Sequence, residues 1–526
     1  MPQRVSLDAM IPRADFGIAD EDANLSGELI RDFPISHITA DSPVLKLLRK
    51  PDFQRETNHW SPEQIATFVA SFLDSEVIPS LILWKSPQYI FVIDGGHRLS
   101  ALRAWMSDDY GDGPISSAFY GPDISDDQKR IAKRTRKLIE QTVGRYSRLK
   151  DQVDATPIVR RAKTLFTRAL TLQWVHGNAN VAETSFFKIN SQGTPLDETE
   201  EMLIRNRRKP IAIAARAILR AGGGHKYWSA FGDLESKQIE ELAEQFHGLL
   251  FDPEADTPIK TLELPLGGSV SPVDALSLLI EFLTITANRS SETKTIEKYV
   301  DDPSGSDTVT VLKNSLQVLN RITGNTPGSL GLHPAVYFYN ERGKYTRFLF
   351  LGMAGLITDK IRNNDQQFFQ KFTVGRDAVE SFLIQNKSLI TLLLTNMSKA
   401  QRTSKMKDLF NFIVTEAHAK KELKPEAAIA QLGLRGRILE ISTPQTTAHI
   451  SDDTKSMVFL RDAITKAMRC PLCKGLLDPS KSVSYDHIAP VRHGGRGDLD
   501  NTQLVHPYCN SSELQKSDTD RSIREL

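Results

Sequence analysis

The clearest periodicity in the chain starts at Ser61. Ile65, Phe68, Val69 and Phe72 recur at the spacing of one helical face, with Ser61 placed to cap and Pro62 suited to the first turn, so a helix is expected from here. Two short β-like runs follow, Ser80–Trp84 and Tyr89–Ile93. They lead through Asp94-Gly95-Gly96 into a helical pattern from His97 to Trp105, giving the order strand, glycine turn, helix. Residues 1–50 are mixed and turn-rich. From 215 to 440 helical spacing dominates, broken by loop signals at Asp252–Asp256, Asp301–Ser306 and Gly324–Gly331, and no motif there carries chemistry. Lys424-Pro425-Glu426 and the turn at Gly433–Gly436 mark the approach to a C-terminal domain, and no internal repeat is evident.

Length and charge narrow the reading. A chain of 526 residues exceeds what one core organises and suggests about three domains, and 40% hydrophobic with 25% charged residues is a globular composition. With a net charge of +1, affinity for nucleic acid has to come from local patches. The strongest is Lys129–Arg168, with thirteen Lys or Arg against three acids; Lys129, Arg130, Lys133 and Arg134 lead it as candidate phosphate contacts, and a solvated helix face is the competing reading. Met1–Ala14 lacks a basic-then-apolar leader, and the longest apolar stretch, Phe348–Ile357, is too short to span a bilayer; a cytoplasmic location and no membrane partner are expected.

The three cysteines, Cys470, Cys473 and Cys509, fall in one short segment. An odd, clustered set in such a chain argues for a metal site over disulfides. Cys470-Pro471-Leu472-Cys473 is a zinc knuckle, and His506-Pro507-Tyr508-Cys509 supplies the matching half of a tetrahedral set. Between the knuckles lie Tyr485-Asp486-His487-Ile488, a loop Arg492-His493-Gly494-Gly495-Arg496-Gly497, and Asp500-Asn501, with Asn510 directly after Cys509. Phosphodiester hydrolysis needs an activated water and a cation that neutralises charge on the phosphate. Asp486 and Asn510 offer hard oxygen ligands for Mg²⁺ or Mn²⁺, and His487 is suited to accept a proton near neutrality; His493 is expected to be an exposed loop histidine.

In these elements and their order the segment resembles the HNH endonuclease family. The resemblance implies a small ββα-metal domain, catalytic roles for His487, Asp486, Asn501 and Asn510, with Asp486 and Asn510 as ligands of the catalytic metal, His487 as general base and Asn501 orienting the loop. Two departures stand out: Glu513 occupies a position that is often basic, and His506 stands where many members have Cys. Residues 451–526 carry eleven basic and eleven acidic side chains, so the module alone should bind DNA poorly.

A second resemblance rests on Pro51-Asp52-Phe53-Gln54-Arg55-Glu56, Trp60, Ile78-Pro79 and Val92-Ile93-Asp94-Gly95-Gly96-His97-Arg98, together with Phe186–Leu196 and Glu200-Glu201. These resemble the ParB-like domain of GmrSD-type modification-dependent restriction enzymes. Gly95 and Gly96 before a helix suit an anion, Arg55 and Arg98 suit phosphate oxygens, and Asp94 suits a cation or a water; Asp-Gly-Gly is also an ordinary turn. The resemblance implies a nucleoside triphosphate site of Gln54, Arg55, Asp94, Gly95, Gly96, His97 and Arg98. Gly96-His97 replaces the family's Gln-Gln, which leaves NTPase activity open.

The expected architecture is multidomain α+β: a ParB-like α/β domain over 1–215, a mostly α-helical middle over 216–440, and a ββα-metal HNH domain over 441–526. The expected function is a metal-dependent DNA endonuclease of a bacterial defence or restriction system, nicking or cleaving, gated by nucleotide or by DNA modification, with structural Zn²⁺, catalytic Mg²⁺ or Mn²⁺, and a homo-oligomer or defence-system proteins as further partners. A nucleotide-gated DNA-binding regulator with a degenerate nuclease fold and an RNA-directed HNH enzyme are the alternatives.

Overall fold

The helix expected from Ser61 spans Pro62–Leu73 in the computed structural model of the chain. Ser61 and Gln64 cap it reciprocally: Gln64 N–H donates to Ser61 Oγ at 3.3 Å, and Ser61 N–H to Gln64 Oε1 at 2.9 Å. The structure describes residues 4–14, 16, 30–52, 54, 57, 60–121, 124–151, 157–192, 198–223, 227–268, 272–287, 295–434 and 450–511. The chain divides into two units, Met1–Arg207 with Gly223–Tyr227, and Arg208–Gly222 with Trp228–Leu526.

The first unit is built on a mixed sheet of β1 (Arg13–Ala14), β2 (Asp32–Pro34), β3 (Leu48–Pro51), β4 (Leu81–Lys85), β5 (Ile90–Asp94) and β6 (Ala169–Val175), in the order β1-β3-β5-β4-β6-β2. β4 and β5 are the two strands read from the sequence, paired antiparallel, while β3 runs parallel to β5 and β6 parallel to β4. Apolar residues run on without alternation in β5 because both faces are covered. Val92 joins Leu81, Leu83, Ile65, Val69 and Phe72 on one side, and Phe91 and Ile93 join Phe16, Trp84 and Phe186 on the other. The glycine turn after β5 starts the helix Gly96–Ser107. Gly95 has φ +98°, and a Cβ there would sit 2.3 Å from Leu81 Cδ2, so the turn demands glycine.

The second unit is helical up to residue 431, in agreement with the periodicity. Phe246, Phe282, Phe350 and Phe338 form a run of ring contacts at centroid separations of 5.3–5.8 Å, stacked for Phe282–Phe350 and edge-to-face for Phe246–Phe282 and Phe338–Phe350, which fixes how the helices Asp233–Phe251, Pro272–Thr286 and Arg347–Arg362 meet. The loop signal at Asp301–Ser306 is an N-terminal cap: Asp302 accepts hydrogen bonds from Gly305 N, Thr308 N and Thr308 Oγ1 at 2.7–2.8 Å, starting the helix Ser306–Ile322. Asp452–Lys466 is a further helix, after which β7 (Ser484–His487) and β8 (Thr502–Val505) form an antiparallel hairpin. The helical segment and the cysteine-bearing segment thus belong to one unit. Among the described residues no helix is long and apolar enough to cross a membrane.

Candidate metal centre and nuclease site

Chain geometry brings the two knuckles together. Cys470 and Cys473 sit on a turn closed by Cys470 N–H to Gly475 O at 2.8 Å and Lys474 N–H to Cys470 O at 2.9 Å. His506 and Cys509 follow β8 directly. The ligand atoms of Cys470, Cys473, His506 and Cys509 all lie within 4.8 Å of one another, and all four residues are buried. A tetrahedron with Zn–S bonds of about 2.3 Å has edges near ~3.8 Å, so this donor set fits zinc. His506 Nε2 lies 2.9 Å from Leu476 O and donates to it, which leaves Nδ1 as the ligand atom, 3.3 Å from Cys473 Sγ. Burial lowers the His506 pKa and keeps the imidazole neutral, as a metal ligand must be. Burial also pushes the Cys473 thiol up to about 12, so closely packed sulfurs need a divalent cation to ionise together. The apolar residues of this cluster besides the cysteines are few, Leu477 and Val505 with Leu472, Val483 and Leu504 at its edge.

The hairpin carries the candidate nuclease residues. In its register Asp486 faces Gln503 and His487 faces Thr502. Asp486 Oδ2 accepts from Gln503 Nε2 at 3.3 Å, and the side chain of His487, half-buried at the strand end, makes no hydrogen bond among the described residues. Asn501 closes the intervening loop: its Oδ1 accepts from Ala489 N at 2.7 Å, and its Nδ2 donates to Ala489 O at 3.1 Å and Arg496 O at 2.7 Å. Asn510 is drawn onto β7, with Nδ2 donating to Ser484 Oγ at 2.8 Å and Tyr485 O at 2.9 Å. Its amide nitrogen is thereby occupied on the strand that carries Asp486 and His487, leaving the amide oxygen as a ligand atom. Asp486 and Asn510 fit a hard cation by the chemistry of these oxygens. His493 is exposed on the loop, as expected. The residues after Ser511, where the helix of a ββα unit and Glu513 would fall, lie outside the described residues.

Sequence reading missed what the module stands on. The stretch Gly324–Gly331, legible only as a loop, is its seat: Tyr508 N–H donates to Ser329 O at 2.9 Å, Ser482 Oγ to Gly324 O at 2.8 Å, and Val483 N–H to Asn325 Oδ1 at 3.0 Å. Gly331, with φ +57°, lies so close that a Cβ would stand 2.8 Å from His506 Cδ2.

In the first unit Gln54, Asp94, Gly95, Gly96, His97 and Arg98 line one cavity of about 160 Å³, with Thr57, Trp60 and Phe186. Arg55 lies outside the described residues, as do Gly193–Leu196. His97 stacks on Trp60 at 5.7 Å between ring centroids. The Arg98 guanidinium is engaged by Asp94 and by the carbonyls of Pro79 and Ser80, so it braces the turn. Gln54 Nε2 donates to Val92 O at 3.3 Å, while its Oε1 has no hydrogen-bond partner among the described residues. Behind this rim is a buried charge cluster that no motif announced. Asp8 Oδ1 accepts from Lys50 Nζ at 2.6 Å, Arg13 Nη2 at 2.7 Å and Thr57 N at 3.1 Å, and Arg13 also donates to the carbonyls of Pro51 and Gln54. Of the basic residues on the helix Asp126–Thr142, Lys129 pairs with Asp126 at 3.7 Å, Arg130 with Asp127 and Arg134 with Glu63 at 2.7 Å. Lys133 is exposed, with no ion pair among the described residues.

No curated protein matches the chain. Two family models do: residues 36–208 match the N-terminal domain of GmrSD restriction endonuclease, and residues 470–516 match HNH endonuclease, a family whose substrate is DNA. The second match coincides with the metal cluster and the hairpin, and together the two support a restriction-type endonuclease.

Proposed function

We propose that the chain is a metal-dependent DNA endonuclease of a bacterial defence or restriction system whose cutting is gated through its N-terminal unit. The observation that carries this reading is the hairpin site: Asp486 and His487 on β7, Asn510 bound to that same strand, and Asn501 bracing the loop between. His487 Nδ1 or Nε2 takes the proton from the attacking water. Asp486 and Asn510 would hold Mg²⁺ or Mn²⁺, which would supply charge neutralisation at the scissile phosphate. Zinc in the Cys470, Cys473, His506 and Cys509 set is structural, since four protein donors leave no open position for a substrate.

The gate is assigned to the cavity at the start of the helix Gly96–Ser107. Among the described residues the Gly95 and Gly96 amides have no hydrogen-bond acceptor, and amides at a helix start favour an anion. About 160 Å³ is below the ~300–1,000 Å³ of ordinary small-molecule sites. A nucleoside triphosphate would therefore seat its phosphate end in the cavity, with Asp94 held in place by Arg98. The domain roles follow: 1–215 senses, 216–440 supports and transmits, 441–526 cuts. The test is purified protein with supercoiled plasmid, modified or unmodified, in Mg²⁺ or Mn²⁺, with and without nucleoside triphosphates. Nicking or linearisation that responds to nucleotide or to modification is expected. Plasmid that is bound and never cut would favour a DNA-binding regulator instead.

A further inference from the structure

Arg376 and Glu380 look in the sequence like any i, i+4 pair on a helix surface. In the structure both side chains are buried, 2% and 0% exposed, on the helix Gln366–Gln385. Arg376 Nε donates to Glu380 Oε1 at 2.7 Å, and its two terminal nitrogens donate to the carbonyls of Leu330 and Gly331 at 2.5 and 2.8 Å. The Tyr337 hydroxyl donates to the same Oε1 at 3.1 Å. The other carboxylate oxygen, Oε2, accepts the backbone N–H of Leu476 at 2.7 Å.

That last bond reaches the metal centre. Leu476 gives its N–H to Glu380 and its carbonyl to His506 Nε2, so a single residue joins the buried carboxylate to a zinc ligand. The second contact is through Gly331, whose carbonyl Arg376 holds and whose Cα is packed against the His506 ring. One ion pair therefore fixes both the acceptor of the imidazole N–H and a wall of the imidazole. Burying two charges is costly, and an apolar pair of similar size would pack the helix at least as well. What an apolar pair cannot do is hold the Leu476 peptide and the Leu330–Gly331 carbonyls at once.

We propose that Glu380 and Arg376 are positioning residues of the zinc centre, so that the helical body completes the metal site and sets the orientation of His506. This rests on the zinc assignment made above. Residues that orient a metal-bound histidine through its second nitrogen change metal affinity about 10–100-fold when altered.

The experiment uses full-length protein loaded with Zn²⁺, and separately with Co²⁺, comparing wild type, Glu380→Gln and Leu393→Ala. Leu393 is buried in the same body and makes none of these hydrogen bonds. Zinc transfer to a chromogenic chelator should be about tenfold faster or more in Glu380→Gln, and the Co²⁺ d–d bands should shift. Leu393→Ala should lower the melting temperature and leave both readouts at wild-type values. Equal zinc release from Glu380→Gln and wild type would overturn the proposal, as would equal acceleration by Leu393→Ala. Should Glu380→Gln fail to fold, Gly331→Ala, which places a methyl group about as close to His506 as to Ser482 without altering Arg376 or Glu380, must show the same acceleration and band shift, and wild-type behaviour there is refutation. A wild type that holds no zinc at all fails the metal assignment itself, a result distinct from a zinc-bound protein indifferent to Glu380.

Discussion

Asn501→Ala is the sharpest perturbation of the nuclease site, because this side chain touches neither His487 nor Asp486 by hydrogen bond and acts through the loop. It makes three hydrogen bonds, to Ala489 N, Ala489 O and Arg496 O. Each is worth about 0.5–1.5 kcal/mol net, and a half-exposed site belongs at the low end, so the latch contributes ~2 kcal/mol to the ordered loop. If the loop must be ordered in the transition state, that is about a 30-fold loss in kcat, with KM little changed. The assay is plasmid nicking in Mn²⁺, read beside amide exchange at Ala489, whose N–H the latch holds. Exchange should accelerate by a similar factor, and zinc content should not change. Asn501→Asp keeps the acceptor for Ala489 N–H but turns a carboxylate oxygen toward two carbonyls, so it should do no better than alanine. Nicking within threefold of wild type in Asn501→Ala, with Ala489 exchange unaltered, would refute the role given to this residue.

His487→Ala should abolish nicking with zinc retained; a variant that cuts as well as wild type would place the active site elsewhere. Metal analysis should find about one Zn²⁺ per chain, lost together with the fold of the hairpin segment in Cys470→Ser, and a folded wild type free of zinc would remove the staple. At Asp109, burial alone would raise the carboxyl pKa, but hydrogen bonds from Ser116 Oγ and N and from the Gly113 and Gly111 amides prevail and hold it below the usual carboxylate range. A depressed folded-state pKa means this stability is present above about pH 4 and is lost as pH falls further, so Asp109→Asn should cost ~3 kcal/mol at neutral pH and flatten the acid limb of the unfolding curve; an unchanged acid limb would count against it. Replacing Lys129, Arg130, Lys133 and Arg134 by Ala should weaken DNA binding and lower the salt slope by up to about 3.6 if all four meet phosphates; an unchanged slope would make this face merely solvated.

What the sequence disclosed and what it hid follow from the range of the forces involved. The helix Pro62–Leu73, strands β4 and β5 and the turn at Gly95 were legible because capping and periodicity act over a few residues. The cluster of Cys470, Cys473, His506 and Cys509 was legible because a tetrahedron of soft donors forces a fixed spacing on each knuckle. β1 to β3 were not, since strands of two to four residues are held by partners far along the chain. Arg98 reads as a phosphate ligand in sequence, yet its guanidinium is engaged by Asp94 and two carbonyls, a constraint visible only once β4 lies beside the turn. Arg376 and Glu380 were illegible for the same reason: burial of an i, i+4 pair is decided by what packs over it.

On the proposed reading, the charge distribution separates holding DNA from cutting it. Residues 451–526 balance eleven basic against eleven acidic side chains, and the exposed surface around the hairpin is apolar in part, with Tyr485, Ile488, Val491 and Leu499 between 56% and 92% exposed. A neutral, partly apolar hairpin gains little from phosphate neutralisation, so affinity has to be supplied by other parts of the chain. The basic helix Asp126–Thr142 remains suited to that task although three of its four leading residues are paired. Exposed ion pairs are worth about 0–1 kcal/mol, so a phosphate can replace Asp126, Asp127 or Glu63 as the counter-ion at small cost. Buried pairs behave in the opposite way. Arg376 and Glu380 cannot exchange partners without exposing a charge in the interior, which is why a surface pair can serve a transient ligand and this one serves to hold a permanent joint.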